Sequence, residues 1–351
     1  MILRSIFLKG LQREAEKDFT VGTLRTTPDL FSVGAKWPRP RHFLRFVTFS
    51  ALLFGLLLLG WWRTTNTNLI PGLIFIGSFA VPIACVILFF ECNIRRNVSL
   101  YAVVRAFLYG GVLAIFFSTW LFTFDPTPSG GFWDCGAALI EEPVKLFAVI
   151  VVARAAKGRY RLNGLLFGAA VGAGFAAFES AGYALLGFLK PIFDKENMQV
   201  LMAGNGTFDE MMSVSTSCAL DVILKRGLLA PFCHVAWTAI TAGGLWAVWG
   251  EGPFRRALLK RGTFVFFFAV AVLCHAVWNM PDDTLPHYGV QLLSGAVAWA
   301  ALLSMVHSGI REIRDEQNAV LRKLRGEGER SLIDEARGEL DAWMQNLVRS
   351  K

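Results

Sequence analysis

Long apolar stretches alternate with short polar ones along the chain, and eight of them hold about 17 or more predominantly apolar residues. A helix of that length crosses the hydrocarbon core of a bilayer, where the backbone must satisfy its own hydrogen bonds. The pattern therefore predicts an all-α fold, a polytopic membrane helix bundle of about eight transmembrane helices. The predicted spans lie at about 46–62, 69–90, 106–122, 135–153, 162–189, 228–249, 264–280 and 290–308.

The composition agrees with a membrane protein and excludes several other classes. Hydrophobic residues make up 54% of the chain and charged residues 18%, with a mean hydropathy of +0.47, whereas soluble domains carry about 25% charged residues. The 30 Phe and 11 Trp lie in apolar runs rather than between basic clusters, so no nucleic-acid partner is expected. The six cysteines form no CxxC pair, which gives no sign of a zinc ribbon or a disulfide framework.

Lysine and arginine are distributed unevenly between the loops, and this predicts the orientation. Of the 35 cations, 29 lie in the N-terminal segment, the tail and the loops after the second, fourth and sixth spans. Because cytoplasmic loops are the basic ones, both termini are predicted to be cytoplasmic. The net charge of +8 is thereby attributed to topology rather than to a polyanionic partner. The first 30 residues lack the pattern of a removable signal peptide.

Three regions follow from these predictions: a cytoplasmic N-terminal segment (1–45), the transmembrane bundle (46–308) and a cytoplasmic amphipathic tail (309–351). The apolar spacing of the tail predicts two amphipathic helices, separated at Gly326 and Gly328, that form a solvated hairpin or lie on the membrane surface. The outer loop at about 190–227 is the longest predicted extracytoplasmic segment, and it is expected to be a plain connector, with a lid or substrate guide as the alternative.

Several polar residues occur within the predicted spans, where an ionised side chain costs about 2.5–3.5 kcal/mol. A lysine can neutralise a glutamate three or four positions away on the same helix, but one lysine cannot neutralise three glutamates. These residues are therefore candidates for function. They are Glu141, Glu142 and Lys145 in the fourth span, Glu179 in the fifth, His234 in the sixth, and His275 with Asn279 in the seventh.

Helical spacing and depth predict that these residues share one cavity. Glu179 continues a stripe of Gly164, Gly168, Gly172 and Phe175 at spacings of three and four, which would let another helix approach closely. His275 shares a face with Asn279, and His234 lies one turn from Trp237. All the ionisable positions fall in the outer third of their spans, so we expect a cavity that opens toward the extracytoplasmic side.

Such a cavity suits hydrolysis. A desolvated carboxylate beside a second one can act as a general base that holds a water, and the spacing does not choose between Glu141 and Glu142. His275 and Asn279 offer donors to a developing oxyanion. Alternatively, a glutamate and two histidines are ligands for a divalent metal such as zinc, with an open position for water. Pro143 removes a helical hydrogen bond from Leu139, and a kink there would admit water or substrate backbone.

Four short motifs in this order resemble the PrsW family of intramembrane proteases, part of the wider superfamily of CAAX endopeptidases. The resemblance covers about residues 130–285. The motifs are Glu141-Glu142-x-x-Lys145, Phe175-x-x-x-Glu179, His234-x-x-Trp237 and His275-x-x-x-Asn279.

The resemblance implies a multi-pass enzyme of the bacterial cytoplasmic membrane. Its substrates would be single-pass membrane proteins, with site-1-type cleavage of anti-sigma factors as the known kind, and lipid would be its other partner. It also implies that Glu141 is the base and that His275 and Asn279 bind the oxyanion. CAAX-type relatives carry a histidine where this chain has Glu179, so Glu179 is expected to share a proton with Glu141 or to join Glu141, His234 and His275 as a metal ligand.

Two other functional classes fit buried carboxylates and histidines. A proton-coupled or solute-coupled transporter also needs such groups, although the sequence shows no convincing inverted repeat. A scaffold or chaperone without catalytic activity on the same fold is the third class. Transport should depend on an ion gradient, whereas proteolysis should proceed in detergent.

Overall fold

The structure, a computed structural model, describes residues 17–23, 25–124, 136–153, 160–204, 206–250, 252–280 and 287–349. Within these ranges the chain forms helices joined by short turns and contains no strand. The helices are α1 (Arg41–Thr64), α2 (Ile70–Cys92), α3 (Leu100–Phe122, with a π-helical turn at Ala106–Gly110), α4 (Ala137–Ala153), α5 (Arg161–Phe193), α6 (Lys195–Met202), α7 (Phe208–Leu229), α8 (His234–Trp249), α9 (Gly262–Trp278) and α10 (His287–Arg349).

The predicted helical membrane bundle is confirmed. Each predicted span falls largely within a helix, and among the described residues six helical segments are long and apolar enough to cross a membrane. The other two spans are α4 and α9, which have 17 residues each, so the count of eight stays a prediction. Some sequence predictions concern positions outside the described residues. These positions are 1–16, 130–135 and the loop cations at 154, 157 and 159.

The surface of the bundle carries large apolar side chains that water would not favour. Helix α1 contains no buried residue, and Leu52, Leu56 and Trp62 on it are 56%, 66% and 66% exposed. Exposed apolar area of this extent is typical of contact with another apolar phase. This agrees with a helix that is long and apolar enough to cross a membrane.

The core forms around α5, which packs against α2, α3, α7 and α8. Its glycine stripe faces α8 so closely that a Cβ built at Gly168 would lie 2.4 Å from the carbonyl oxygen of Thr238, and one at Gly172 would lie 2.3 Å from that of His234. Only glycine leaves room for backbone at this distance. The prediction that the stripe admits a second helix is confirmed.

The prediction of a connecting loop at 190–227 is wrong for most of that segment. Helix α5 continues to Phe193, α6 follows, and α7 begins at a capping box formed by Thr207 and Glu210. Helix α7 then packs against α5 and α2, where Ile223 fills the space beside Gly77. The capping pair and the apolar contact explain why the segment folds as a helix.

The predicted break in the tail is also wrong. Helix α10 runs without interruption over 63 residues through Gly326 and Gly328, a length of about 95 Å. A glycine costs a helix only about 1 kcal/mol relative to alanine, which weakens a helix without ending it. Helix α10 also holds the N-terminal segment, since Gln317 Nε2 donates to the carbonyls of Leu30 and Val33 at 2.7 and 2.9 Å.

Candidate active site

Four helices bring the predicted site residues to the same end of the bundle. Glu141 lies four residues after the start of α4, His275 lies three residues before the end of α9, and His234 begins α8. In α4, α8 and α9 the site residues therefore lie within about one turn of a helix end, whereas α5 continues for a further 14 residues beyond Glu179. Helix α4 remains helical through Pro143.

Lys145 and Glu142 form the buried centre of the cluster, and neither is exposed. Lys145 Nζ lies 2.6 Å from Glu142 Oε1 and 3.4 Å from Glu141 Oε2. It also lies 2.9 Å from His234 Nδ1 and over the rings of Phe175 and Trp237 at 4.7 and 5.7 Å. An ionised lysine at this depth needs partners of opposite charge, and the pair on its own helix supplies them.

Each of the two histidines is held by a different carboxylate and presents its other nitrogen to Glu141. His275 Nδ1 lies 2.9 Å from Glu142 Oε1, while its Nε2 lies 3.8 Å from Glu141 Oε2. His234 Nε2 lies 3.1 Å from Glu179 Oε2, while its Nδ1 lies 3.8 Å from Glu141 Oε2. The Trp237 ring stacks on His275 with centroids 4.3 Å apart, which fixes the plane of that imidazole.

Glu141, His234 and His275 could hold a metal ion, because one ligand atom from each lies within 4.8 Å of the others. One carboxylate and two imidazoles match the ligand preference of zinc. Metal-bound histidines commonly bond a carboxylate through their second nitrogen. Here Glu142 is that carboxylate for His275, and Glu179 is that carboxylate for His234. Lys145 Nζ approaches the same His234 Nδ1, so an ion in this position would compete with that contact.

The cluster opens into a cavity of about 930 Å³. Glu141 lines the cavity, whereas Glu142 and Lys145 lie behind it. Asn279 directly follows α9, with its backbone N–H donating to the carbonyl of His275 at 3.2 Å, and lines the cavity together with Gln291 of α10. The cavity thus brings carboxylate, imidazole and carboxamide groups together in one open volume.

A family model of the PrsW intramembrane metalloproteases matches residues 98–307. The chain belongs to the PrsW family. The match begins before α3 and ends within α10, so it is longer at both ends than the region of about 130–285 expected from the motifs. No curated protein and no solved structure matches the chain.

Membership of the PrsW family identifies the protein as an intramembrane protease. The buried glutamate and histidine cluster is consistent with its catalytic site. Several membrane-spanning helices agree with a multi-pass membrane protein. The family match favours the protease over the transporter that the sequence left open.

One further residue of this PrsW-family site, Arg226, lies in the segment that the sequence predicts as an outer loop. Arg226 of α7 donates to Glu179 through Nη2 and to Ser180 Oγ through Nε at 3.2 Å. Its guanidinium lies over the Tyr183 ring at 4.4 Å. The sequence contained one sign of such a residue, because the predicted site has three glutamates and one lysine. Arg226 supplies a second cation to these glutamates.

Proposed function

We propose that this protease cleaves membrane-anchored proteins with a divalent metal, zinc by preference, held by Glu141, His234 and His275. The observation that carries the proposal is the orientation of the two imidazoles. Each turns one nitrogen toward Glu141 and bonds a carboxylate, Glu142 or Glu179, through the other.

A metal bound there would polarise the scissile carbonyl and favour deprotonation of a water. The residues of the chain then have separate tasks. All the described contacts of Glu141 use Oε2, which leaves Oε1 to accept the proton of the attacking water. Asn279 on the cavity wall donates to the developing oxyanion. Glu142 and Glu179 keep the imidazoles in place.

The glutamate mechanism is the alternative within the same site. There, Glu141 would be the general base without a metal, and His275 Nε2 and Asn279 would bind the oxyanion. Both mechanisms require Glu141, and they differ in the need for an ion. The ligand geometry favours the first.

The proposed substrates are single-pass membrane proteins that are cut near the extracytoplasmic face, with anti-sigma factors as the kind that the family resemblance implies. The site lies close to one end of the bundle, and the basic loops are predicted at the other end. We therefore propose that the site lies near the outer surface of a bacterial cytoplasmic membrane, with both termini inside and lipid around the bundle.

The test combines metal analysis with cleavage. The purified protein in detergent is incubated with a panel of labelled single-pass membrane proteins, with and without a chelator, and its zinc content is measured by elemental analysis. We expect about one ion per chain, loss of cleavage on chelation and recovery with Zn²⁺. Glu141→Gln should lower the rate about a hundredfold to ten-thousandfold.

His307→Ala is the matched control for His275→Ala, because His307 stacks on Trp37 outside the cavity. It should keep both zinc and cleavage, whereas His275→Ala should lose both. Full cleavage by a metal-free protein that still depends on Glu141 would refute the metal and establish the glutamate mechanism.

A further inference from the structure

The outer part of the site is completed by α7, through a chain of charged contacts. Arg226 donates to Glu179, and the same oxygen of Glu179, Oε2, lies 3.1 Å from His234 Nε2. His234 Nδ1 in turn faces Glu141. The order from helix α7 inward is thus arginine, glutamate, histidine and the glutamate that lines the cavity.

We propose that Arg226 is a positioning residue, which holds Glu179 so that His234 keeps Nδ1 directed at the metal site. This inference rests on the proposed function above. Three contacts restrain the guanidinium, namely those to Glu179, Ser180 and the Tyr183 ring. A planar guanidinium that is bonded through two of its nitrogens and stacked on its face has one orientation, and it transmits that orientation to the carboxylate.

The packing of α7 against α2 and α5 fixes the position of Arg226. Ile223 and Gly227 on either side of Arg226 lie against Gly77 of α2, where a Cβ at Gly227 would be 3.1 Å from the Gly77 carbonyl oxygen. Further along, Cys218 and Val222 lie beside Gly187 of α5. Arg226 is therefore carried by a helix that two neighbours fix, and its reach to Glu179 does not depend on a flexible loop.

Removal of the arginine would leave His234 as the one described side-chain contact of the Glu179 carboxylate. The carboxylate could then turn away, and the imidazole would lose its restraint. Removal of a group that orients a metal-bound histidine typically weakens metal binding about 10-fold to 100-fold. We expect Arg226→Gln to weaken Zn²⁺ binding within that range and to lower kcat more than it raises KM.

Lys225→Gln is the matched control. Lys225 is the adjacent cation on the same helix and also lines the cavity, but it pairs with Asp221 at 2.8 Å. It should keep the Zn²⁺ affinity of the wild type. Arg226→Lys should fall between the wild type and Arg226→Gln, because an ammonium keeps the charge without the planar pair of bonds.

The measurement is competition for Zn²⁺ with a fluorescent chelator, on protein whose thermal unfolding in detergent has been recorded. Glu179→Gln with and without Arg226→Gln completes a double-mutant cycle, in which the arginine should have little further effect once Glu179 is changed. Equal affinity of Arg226→Gln and wild type, or additive effects in the cycle, would overturn the inference. A wild type that binds no Zn²⁺ would overturn the proposed function as well.

A second cavity, of about 710 Å³, lies at the opposite end of the bundle between the N-terminal segment and the end of α2. Its charges are unbalanced. Asp18 is engaged by Arg96 at 2.8 Å and by His42 at 3.1 Å, and Glu91 accepts the first free backbone N–H groups of α1. The cavity is lined by five cations and by these two carboxylates. The cations are Lys17, Lys36, Arg39, Arg41 and Arg96.

An apolar surface continues from this cavity along the membrane-facing side of α1. Leu44 and Val47, within two turns of Arg41, are 40% and 39% exposed, and Trp37 at the cavity is 50% exposed. A basic pocket that adjoins an apolar helix face matches a lipid whose head is anionic and whose chains are apolar. A tryptophan at that level is typical of the membrane interface.

We infer that this cavity binds the phosphate headgroup of an anionic glycerophospholipid, whose acyl chains lie along α1. The test is native mass spectrometry of the full chain after exchange into mixed vesicles of phosphatidylglycerol and phosphatidylcholine. We expect the wild type to retain phosphatidylglycerol at least severalfold over phosphatidylcholine. The double variant Lys36→Gln, Arg39→Gln should lose this preference.

Arg63→Gln is the control, because Arg63 is a cation at the other end of the same helix, stacked on Trp62 at 5.1 Å. It should retain the lipid as the wild type does. Inorganic phosphate serves as the competitor: if it displaces the lipid at millimolar concentration, the ligand is free phosphate rather than a lipid. That result, or equal retention by the double variant, would overturn the inference.

Discussion

Gly172 offers a sharp test of how packing controls the site. The substitution is Gly172→Ala, which adds one methyl group where α5 meets α8. The new Cβ would lie 2.3 Å from the carbonyl oxygen of His234 and 2.9 Å from the Thr238 side chain. Ordinary van der Waals contacts begin at about 3.4 Å, so the start of α8 must move by about 1 Å.

This displacement acts on the histidine that faces Glu141 and bonds Glu179. A misplacement of about 1 Å in an active site can lower the rate about a hundredfold. Overpacking of a close helix contact costs about 1–3 kcal/mol of stability. We therefore expect a loss in kcat/KM of about a hundredfold, together with a lower temperature of unfolding.

The assay measures cleavage of a single-pass substrate in detergent and thermal unfolding of the same samples. Gly182→Ala is the matched control, since Gly182 lies on the same helix and a Cβ there meets no atom within 4 Å. The control should keep wild-type cleavage. If Gly172→Ala cleaves at the full rate, the geometry of α8 at His234 does not limit catalysis and our reasoning is refuted.

Three further predictions concern the site and the topology. Glu142→Gln should destabilise the fold by about 3–5 kcal/mol, because it breaks a buried ion pair. Glu141→Gln should unfold near the wild-type temperature. Equal unfolding temperatures of the two variants would contradict the different placement of the two glutamates. Asn279→Ala should lower kcat about a hundredfold to a thousandfold with unchanged zinc content, and a full rate would exclude it as an oxyanion donor. Cysteine labelling in intact cells should place residues near 196 outside and residues near 320 inside, and labelling of both from one side would refute the orientation.

The apolar pattern was enough to predict the membrane bundle. Every predicted span lies largely within a helix, because a backbone in hydrocarbon has few other ways to satisfy its hydrogen bonds. Ionisable residues within those spans were a strong signal for the same reason, since burial of a charge without a partner is too costly to occur by chance. Helical spacing then predicted that the glycine stripe of α5 would face another helix.

The sequence did not determine the separate positions of Glu141 and Glu142. The two residues are adjacent, so they differ by about 100° around the helix, and either could have faced a cavity. The structure directs Glu141 to the cavity and Glu142 to Lys145 and His275. That choice depends on which helices pack against α4, and no local pattern contains this information.

The partner of Glu179 was likewise decided by tertiary structure. Arg226 is 47 residues away and reaches the site only because α7 folds against α5 and α2. Side-chain chemistry and helical period are local properties that can be derived from the sequence. Which charges meet across helices depends on the packing of distant segments, and only the folded chain decides it.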